Sequence, residues 1–274
     1  MLTIKVKEPD QIIFVATCPR SGSSAVSGSL AQCGAFIGTH VSKALNPKGF
    51  FENGGVNQIF QREWVIHKGE QQGVRFREKA VREGTLPQIP LLKERIALAF
   101  MVEGYQSGVA LFKQGLYMFF AEQIQAAYPD AVWVLPIRPV DEIAESMVRA
   151  HMAKTSDVAR SRAEAFLSGY NLVRKSVKNL VEIDTNKMIE DGDRSGLQRV
   201  CDLSGLEFND QGVDDFLDGS LWNRTTAVMN DTRINFIRPV EGKKLPPTLP
   251  KGNGLIALDG IDNKVLSPRN EGEQ

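Results

Sequence analysis

Arg20, Ser21, Gly22, Ser23 and Ser24 follow one another in the chain and together offer what an anion needs. A guanidinium is a planar, permanently charged fork for anionic oxygens, and serine hydroxyls add adjustable donors. The run follows Ile12–Ala16, a short apolar stretch rich in β-formers, and precedes a small-residue segment with helical potential; Pro19, Ser21 and Gly22 supply the turn between them. In a strand, loop and helix so ordered, the loop amides and the helix N-terminus converge on one point that favours phosphate or sulfate. The Walker lysine is absent, because Gly22 is followed by Ser23 and Ser24, and this disfavours an ordinary nucleoside triphosphatase. A phosphatase built on Cys18 would place an arginine at position 24, which is serine, and GSSAV does not fit the hydrolase nucleophile elbow. Taken alone, the loop is also compatible with a glycine-containing connection that binds nothing.

A second candidate grip lies further on. Arg138 ends the apolar run AVWVLPIR, and Ser146 stands eight positions later in a helix opened by Pro139 and Asp141. A strand-end arginine and a hydroxyl about two turns up the following helix can hold one small anion together. Two anion grips on one sheet edge suit a nucleotide phosphorylated at both ends of its ribose.

The elements that must position these groups alternate along the chain. Strands are predicted at Ile12–Ala16, Gly108–Lys113, Ala131–Arg138 and Asn179–Asp184. Helices are predicted after the first loop, over Asn57–Glu103 with a break at Gly84–Pro90, and at Leu116–Tyr128. Further helices are expected after Pro139, at Val158–Lys178, at Ser195–Leu203 with Gly205 near its C-cap, and at Asp210–Leu217. Ala35–Gly38 is a short apolar piece, and in NPKGFFEN, Asn46–Asn53, turn punctuation precedes Glu52 and Asn53, where a new helix can begin. The order predicts an α/β domain over residues 1–242: a mostly parallel central sheet with helices on both faces, and ligands outside the carboxyl ends of the strands. From Lys243 to residue 274 the chain is rich in Pro, Gly and Asn, and an extended or disordered tail is expected. There is no internal repeat.

Composition narrows the functional classes. A chain of 274 residues with 42% apolar content can bury a sizeable core. Lysine plus arginine balances aspartate plus glutamate at 33 each, so no global basic field exists for nucleic acid, and any anion site is local. Cys18, Cys33 and Cys201 are scattered without metal-type spacing, which suggests a reducing compartment and small buried hydrophobes. Neither a signal-peptide core nor an apolar run long enough to span a bilayer is present, and a cytoplasmic protein is expected.

CPRSGSS after a strand resembles the 5′-phosphosulfate-binding loop of the sulfotransferases that use 3′-phosphoadenosine 5′-phosphosulfate (PAPS), and IRPVDEIAESMVR resembles their 3′-phosphate-binding segment. ALFKQG, NPKGFFEN and the run from Asn179 to Phe208 resemble further features of bacterial-type members, so the likeness extends in order from about Ile12 to Phe208. It implies a P-loop-like sulfotransferase fold and transfer of a sulfuryl group from PAPS to a hydroxyl or amine, with no metal required. Carried onto this chain, Arg20, Ser21, Gly22, Ser23 and Ser24 would hold the 5′-phosphosulfate, Arg138 and Ser146 the 3′-phosphate, and Lys113 would lie beside the reacting centre. The base would be Glu52, whose carboxylate can be tuned by partial burial, or His40, whose intrinsic pKa suits the task. The acceptor would be a small molecule, carbohydrate, lipid or peptide, framed by the helical wall at 57–103, and the sequence fixes neither it nor the oligomeric state. The chain departs from the cytosolic branch of the family, which places a histidine where Gly115 stands and adds a C-terminal Arg-Lys-Gly phosphate segment.

Blander readings stand beside these. Glu52 can simply cap a helix, Lys113 can be a solvated strand-end lysine, and Ser146 an ordinary helix hydroxyl. His40, His67 and His151 can be surface histidines, Trp64, Trp133 and Trp222 core residues, and Arg149 and Arg174 helix-surface charges. The alternative functions are a nucleotide or small-molecule kinase of P-loop-like fold, marked by a need for Mg²⁺ and ATP, and a non-catalytic nucleotide-binding protein.

Overall fold

Strand β1, Gln11–Ala16, has both faces buried, as an almost unbroken apolar run demands of a strand in the middle of a parallel sheet. The computed structural model describes residues 7–38, 49–66 and 88–217. β2, Val109–Gln114, β3, Val132–Ile137, and β4, Asn179–Asp184, join β1 in a four-stranded sheet of order β2-β1-β3-β4, and every pairing is parallel. The predicted mostly parallel α/β sheet is therefore present, with strand ends displaced by a residue at most at β1, β2 and β3. Phe36, in the predicted short apolar piece, adds a single bridge to Ala110 at the outer edge of β2.

Alternation along β1 sends Ile12, Phe14 and Ala16 to one face and Ile13 and Val15 to the other. The first face is aromatic: Phe14 stacks on Phe112 and Trp133, at centroid distances of 5.2 and 5.0 Å. On it pack helices α2, Gly54–Ile66, α3, Leu92–Val102, α4, Ala121–Ala127, α5, Val140–Arg149, and α6, Ser156–Ser176. The opposite face is aliphatic and is covered by α1, Ser23–Gln32, with α7, Thr185–Glu190, α8, Ser195–Ser204, and α9, Asp210–Phe216.

Leaving β1 the chain proceeds to β2 on one side, whereas β3 proceeds to β4 on the other. The crevice between the carboxyl ends of β1 and β3 is thus the topological switch point, where open α/β sheets bind ligands. The two candidate anion grips emerge at these two strand ends.

Several boundaries differ from expectation for identifiable reasons. α2 starts at Gly54 rather than Asn57, because the Asn53 side-chain carbonyl accepts from the Val56 amide at 2.8 Å and caps it. The predicted helix at Leu116–Tyr128 divides into a 3-10 turn, Leu116–Phe120, and α4; Tyr117 through Phe120 are buried in succession, which leaves no solvent face for an amphipathic helix. α7 is not anticipated by the sequence reading: six residues are too few for a periodic signal, and its start is set by Asp184, whose carboxylate accepts from the amides of Asn186 and Lys187 at 3.0 and 3.1 Å. Residues 67–87, which hold the predicted break at Gly84 and His67, lie outside the described residues, as do His40, Trp222 and everything from 218 onward, including the predicted tail. Trp133 is core, as expected. No helix among the described residues is long and apolar enough to cross a membrane.

Candidate active site

The loop after β1 is held open by two left-handed residues, Arg20 at φ 70° and Gly22 at φ 86°. Gly22 is the N-cap of α1, which has no side-chain cap and no acidic residue in its first turn. The first amides of a helix lack intrahelical acceptors, so this terminus presents donors and uncompensated positive dipole to the crevice. No other residue type fits position 22: a Cβ there would lie 2.8 Å from Thr185 Cβ. Thr185 itself is fully buried and donates its hydroxyl toward the carbonyls of Ser21 and Ile137, at 3.0 and 3.1 Å, tying the loop to the end of β3.

Further ties fix the loop from beneath. The Cys18 amide donates to the Tyr170 hydroxyl at 3.1 Å, and Tyr170 donates in turn to the Pro136 carbonyl at 2.9 Å. Ser21 and Ser23 are buried, and the Thr17 hydroxyl lies 3.4 and 2.5 Å from theirs. These hydroxyls brace the loop, and the Ser24 hydroxyl accepts from the Lys113 ammonium at 3.1 Å. The buried Cys18 thiol is pushed up to about 12 by desolvation, so it stays protonated and is no nucleophile.

The two grips form one site. Arg20 Nε donates to Ser146 Oγ at 2.9 Å, and Arg138 Nη1 donates to the Arg20 carbonyl at 3.2 Å. Arg138 is oriented by Glu142, one turn on, at 3.1 Å, and the Asn186 amide donates to both oxygens of that carboxylate, at 3.0 and 3.1 Å. Arg20 is held below the ordinary guanidinium value, first by burial and then by the charges of Arg138 and Arg149. Positive charge is thus concentrated where solvent is partly excluded, an arrangement that a bound anion relieves. A cleft of about 270 Å³, lined by Arg138, Glu142, Glu145 and Arg149, opens at this place. A larger cavity, about 340 Å³, is lined by Met118, Phe119, Leu172 and neighbours and contains none of these groups.

Lys113 and Glu52 meet on the other side of the loop. Lys113 is the last residue but one of β2, on the α1 side of the sheet, and its side chain is 4% exposed. Its ammonium donates to the Phe50 carbonyl at 2.6 Å and to Ser24 Oγ at 3.1 Å, and lies 3.4 Å from Glu52 Oε1. Burial lowers its pKa from the ordinary lysine value, against the opposing pull of Glu52. The reading of a solvated strand-end lysine is therefore excluded. So is the reading of Glu52 as a helix cap: the neighbouring Asn53 caps α2, and Glu103 accepts from the Gly55 amide and from Asn53 Nδ2, at 3.1 and 2.6 Å.

Glu52 is aimed by strain and packing. Phe51 adopts φ 57°, which costs a non-glycine residue about 1–2 kcal/mol. Its buried ring is held edge-on by Phe216 of α9 at 5.7 Å. Phe216 sits where only a glycine backbone allows, since a Cβ on Gly28 would lie 2.0 Å from its ring. Backbone strain of this kind next to a buried lysine and its carboxylate is characteristic of functional sites.

Gly115 also has a physical cause. A Cβ there would stand 2.7 Å from the Thr17 carbonyl and 2.9 Å from the Phe166 ring, so the loop after β1 excludes any side chain, histidine included. The structure thus brings together Arg20, Ser21, Gly22, Ser23, Ser24, Lys113, Glu52, Arg138 and Ser146, while His40 lies outside the described residues. Sequence reading missed Thr185, Tyr170, Glu142 and Asn186; Arg149 is the helix-surface charge expected, paired with Glu145, and it also lines the cleft. Spacing alone signals Glu142, four residues after Arg138, and Arg149, three after Ser146; no local signal marks Thr185 or Tyr170. Arg174 is the surface charge expected, paired with Glu182.

No family profile matches the sequence, and no curated protein does. Solved structures do. The chain is similar to the sulfotransferase domain of a Synechococcus olefin synthase, with a TM-score of 0.52 and 16% identity over 79% of this chain and 80% of that one. Sulfotransferase STF1 from Mycobacterium tuberculosis gives a TM-score of 0.45 at 17% identity, over 78% of this chain and 72% of that one. The sulfotransferase domain of the curacin biosynthetic pathway gives 0.46 at 15%, over 75% and 76%. At such identities the olefin synthase likeness establishes the fold: a P-loop-like sulfotransferase architecture.

Proposed function

We propose that this chain is a sulfotransferase that moves a sulfuryl group from PAPS to an acceptor hydroxyl or amine, releasing 3′-phosphoadenosine 5′-phosphate (PAP). The observation that carries the reading is the continuous chain of contacts from Arg138 through the Arg20 carbonyl and guanidinium to Ser146, which joins the uncapped start of α1 to a second cleft that holds two guanidiniums, Arg138 and Arg149. One phosphate group needs only the first of these. A nucleotide with phosphate at both ends of its ribose fits both.

In this reading the amides at the start of α1 and the Arg20 guanidinium receive the 5′-phosphosulfate, and Arg138 with Ser146 receives the 3′-phosphate. Sulfuryl transfer, like phosphoryl transfer, spreads charge in a loose transition state, so positioned cations and donors contribute most of the barrier reduction. Lys113 holds its charge between Ser24 and Glu52, the place where that charge is needed. Glu52, 3.4 Å from the Lys113 ammonium, accepts the acceptor's proton. His40, the other candidate base, is the alternative that a Glu52 substitution tests. The acceptor is a small molecule, carbohydrate, lipid or peptide that reaches Glu52 past α2 and α3.

Equilibrium titration of the full chain tests the reading. PAP should bind at least about tenfold more tightly than adenosine 5′-phosphate, the increment expected of one charge-assisted phosphate contact. Equal affinity for the two, or tight binding of Mg²⁺-ATP in place of PAP, would contradict it, the latter in favour of a kinase.

A further inference from the structure

The cleft beside Arg138 holds a second guanidinium, and the two carboxylates that face the pair are not equivalent. Glu142 is fixed by Arg138 at 3.1 Å and by two hydrogen bonds from Asn186. Glu145 is 67% exposed and meets Arg149 at 3.6 Å, a distance and exposure at which ion pairs contribute little. Arg149 stands three residues after Ser146, on the same side of α5, and lines the cleft together with Arg138. Arg20 reaches Ser146 from the loop. The two guanidiniums lining the cleft are balanced by its two carboxylates, so release of Glu145 leaves it one net positive charge, beside Arg20, for a phosphate monoester that carries close to two negative charges near neutral pH.

Building on the function proposed above, we propose that Arg149 is a second cationic contact for the 3′-phosphate, beside Arg138 and the Ser146 hydroxyl, and that it exchanges Glu145 for the phosphate when the nucleotide binds. Glu142 stays in place and keeps Arg138 aimed. Glu145 acts as a weak internal competitor that occupies Arg149 until a doubly phosphorylated nucleotide arrives. Selectivity for a 3′-phosphorylated nucleotide is then set by Arg149 and Glu145 as well as by Arg138 and Ser146. The arrangement also places the exchange on the exposed side of the cleft, where a carboxylate can swing into water without leaving a buried charge unpaired.

The test is titration of full-length wild type, R149Q and E145Q with PAP and with adenosine 5′-phosphate at fixed ionic strength. R149Q should lose about tenfold in PAP affinity through one missing charge-assisted contact, while its affinity for adenosine 5′-phosphate changes by less than about twofold. E145Q should gain about two- to threefold for PAP, the competing exposed ion pair being gone. Both side chains are partly exposed, so each variant is read at unchanged melting temperature, and the opposite signs exclude a general loss of folding. An R149Q that keeps the wild-type ratio of PAP to adenosine 5′-phosphate affinity overturns the role of Arg149 and leaves the sulfotransferase reading standing. An E145Q that binds PAP no better overturns the exchange. A wild type with no preference for PAP overturns the sulfotransferase reading and this inference together.

Discussion

The two ends of the site are built on different principles. The nucleotide end is braced by groups that pay little for their positions: Thr185 ties loop to strand through two carbonyls, Tyr170 bridges Cys18 and Pro136, and Arg138 is aimed by Glu142. The end proposed to react is assembled at a cost. Lys113 is a cation with a 4% exposed side chain, and Phe51 is held at φ 57° to bring Glu52 to it. In the proposed reading, affinity is thus carried by the braced edge of the sheet, and chemistry by segments that the folded core forces together. Stability and catalysis should separate at the second end and coincide more closely at the first.

The largest test of that contrast is Glu52→Gln, which removes the proposed base and keeps its shape. A kcat loss of about 10²–10⁴-fold with unchanged PAP affinity is expected. Unchanged turnover would transfer the role to another group, His40 first. Lys113→Met should cost about 10²–10³-fold in turnover, the scale of one lost electrostatic donor at a developing charge. Its melting temperature should hold or rise, because a buried charge is replaced by an apolar side chain of similar length. A parallel fall in stability would instead make Lys113 a structural strut. At the other end, Arg138→Ala should weaken PAP by about 10–100-fold and adenosine 5′-phosphate far less. Equal losses for both ligands would remove the 3′-phosphate role.

The smallest effect is one of pH. Burial lowers the Lys113 pKa in the folded chain, so the folded state binds fewer protons at this site than the unfolded state. The stability contribution therefore rises with pH between the lowered value and the ordinary lysine value of about 10.4, and is least below that window. Wild type should gain melting temperature relative to Lys113→Met across that window. A difference that does not vary with pH would show that the lysine is not strained by burial.

The same contrast explains what the sequence disclosed. Strand β1, the turn at Arg20–Gly22 and the Arg138-to-Ser146 spacing are local patterns, in which periodicity, turn chemistry and helical spacing state the geometry directly. The contact of Lys113 with Glu52 joins residues far apart in the chain and depends on a left-handed phenylalanine, which no propensity favours. Thr185 opens a helix too short to have a periodic signal, and its role emerges only from contacts distant in sequence, with the Ser21 and Ile137 carbonyls and against Gly22. Gly115 reads as a departure from the cytosolic branch of the sulfotransferases in sequence and as a steric necessity in three dimensions, since the Thr17 carbonyl occupies the space of its Cβ.

The most direct test of the central claim, that both grips hold one nucleotide, is a crystal structure of the full chain with PAP. The 5′-phosphate should lie over the amides of Ser23 and Ser24, with the 3′-phosphate within hydrogen-bonding distance of the Arg138 guanidinium and Ser146 Oγ. A nucleotide whose ribose phosphate lies away from residue 138, with that guanidinium still turned only to Glu142 and the Arg20 carbonyl, would contradict it.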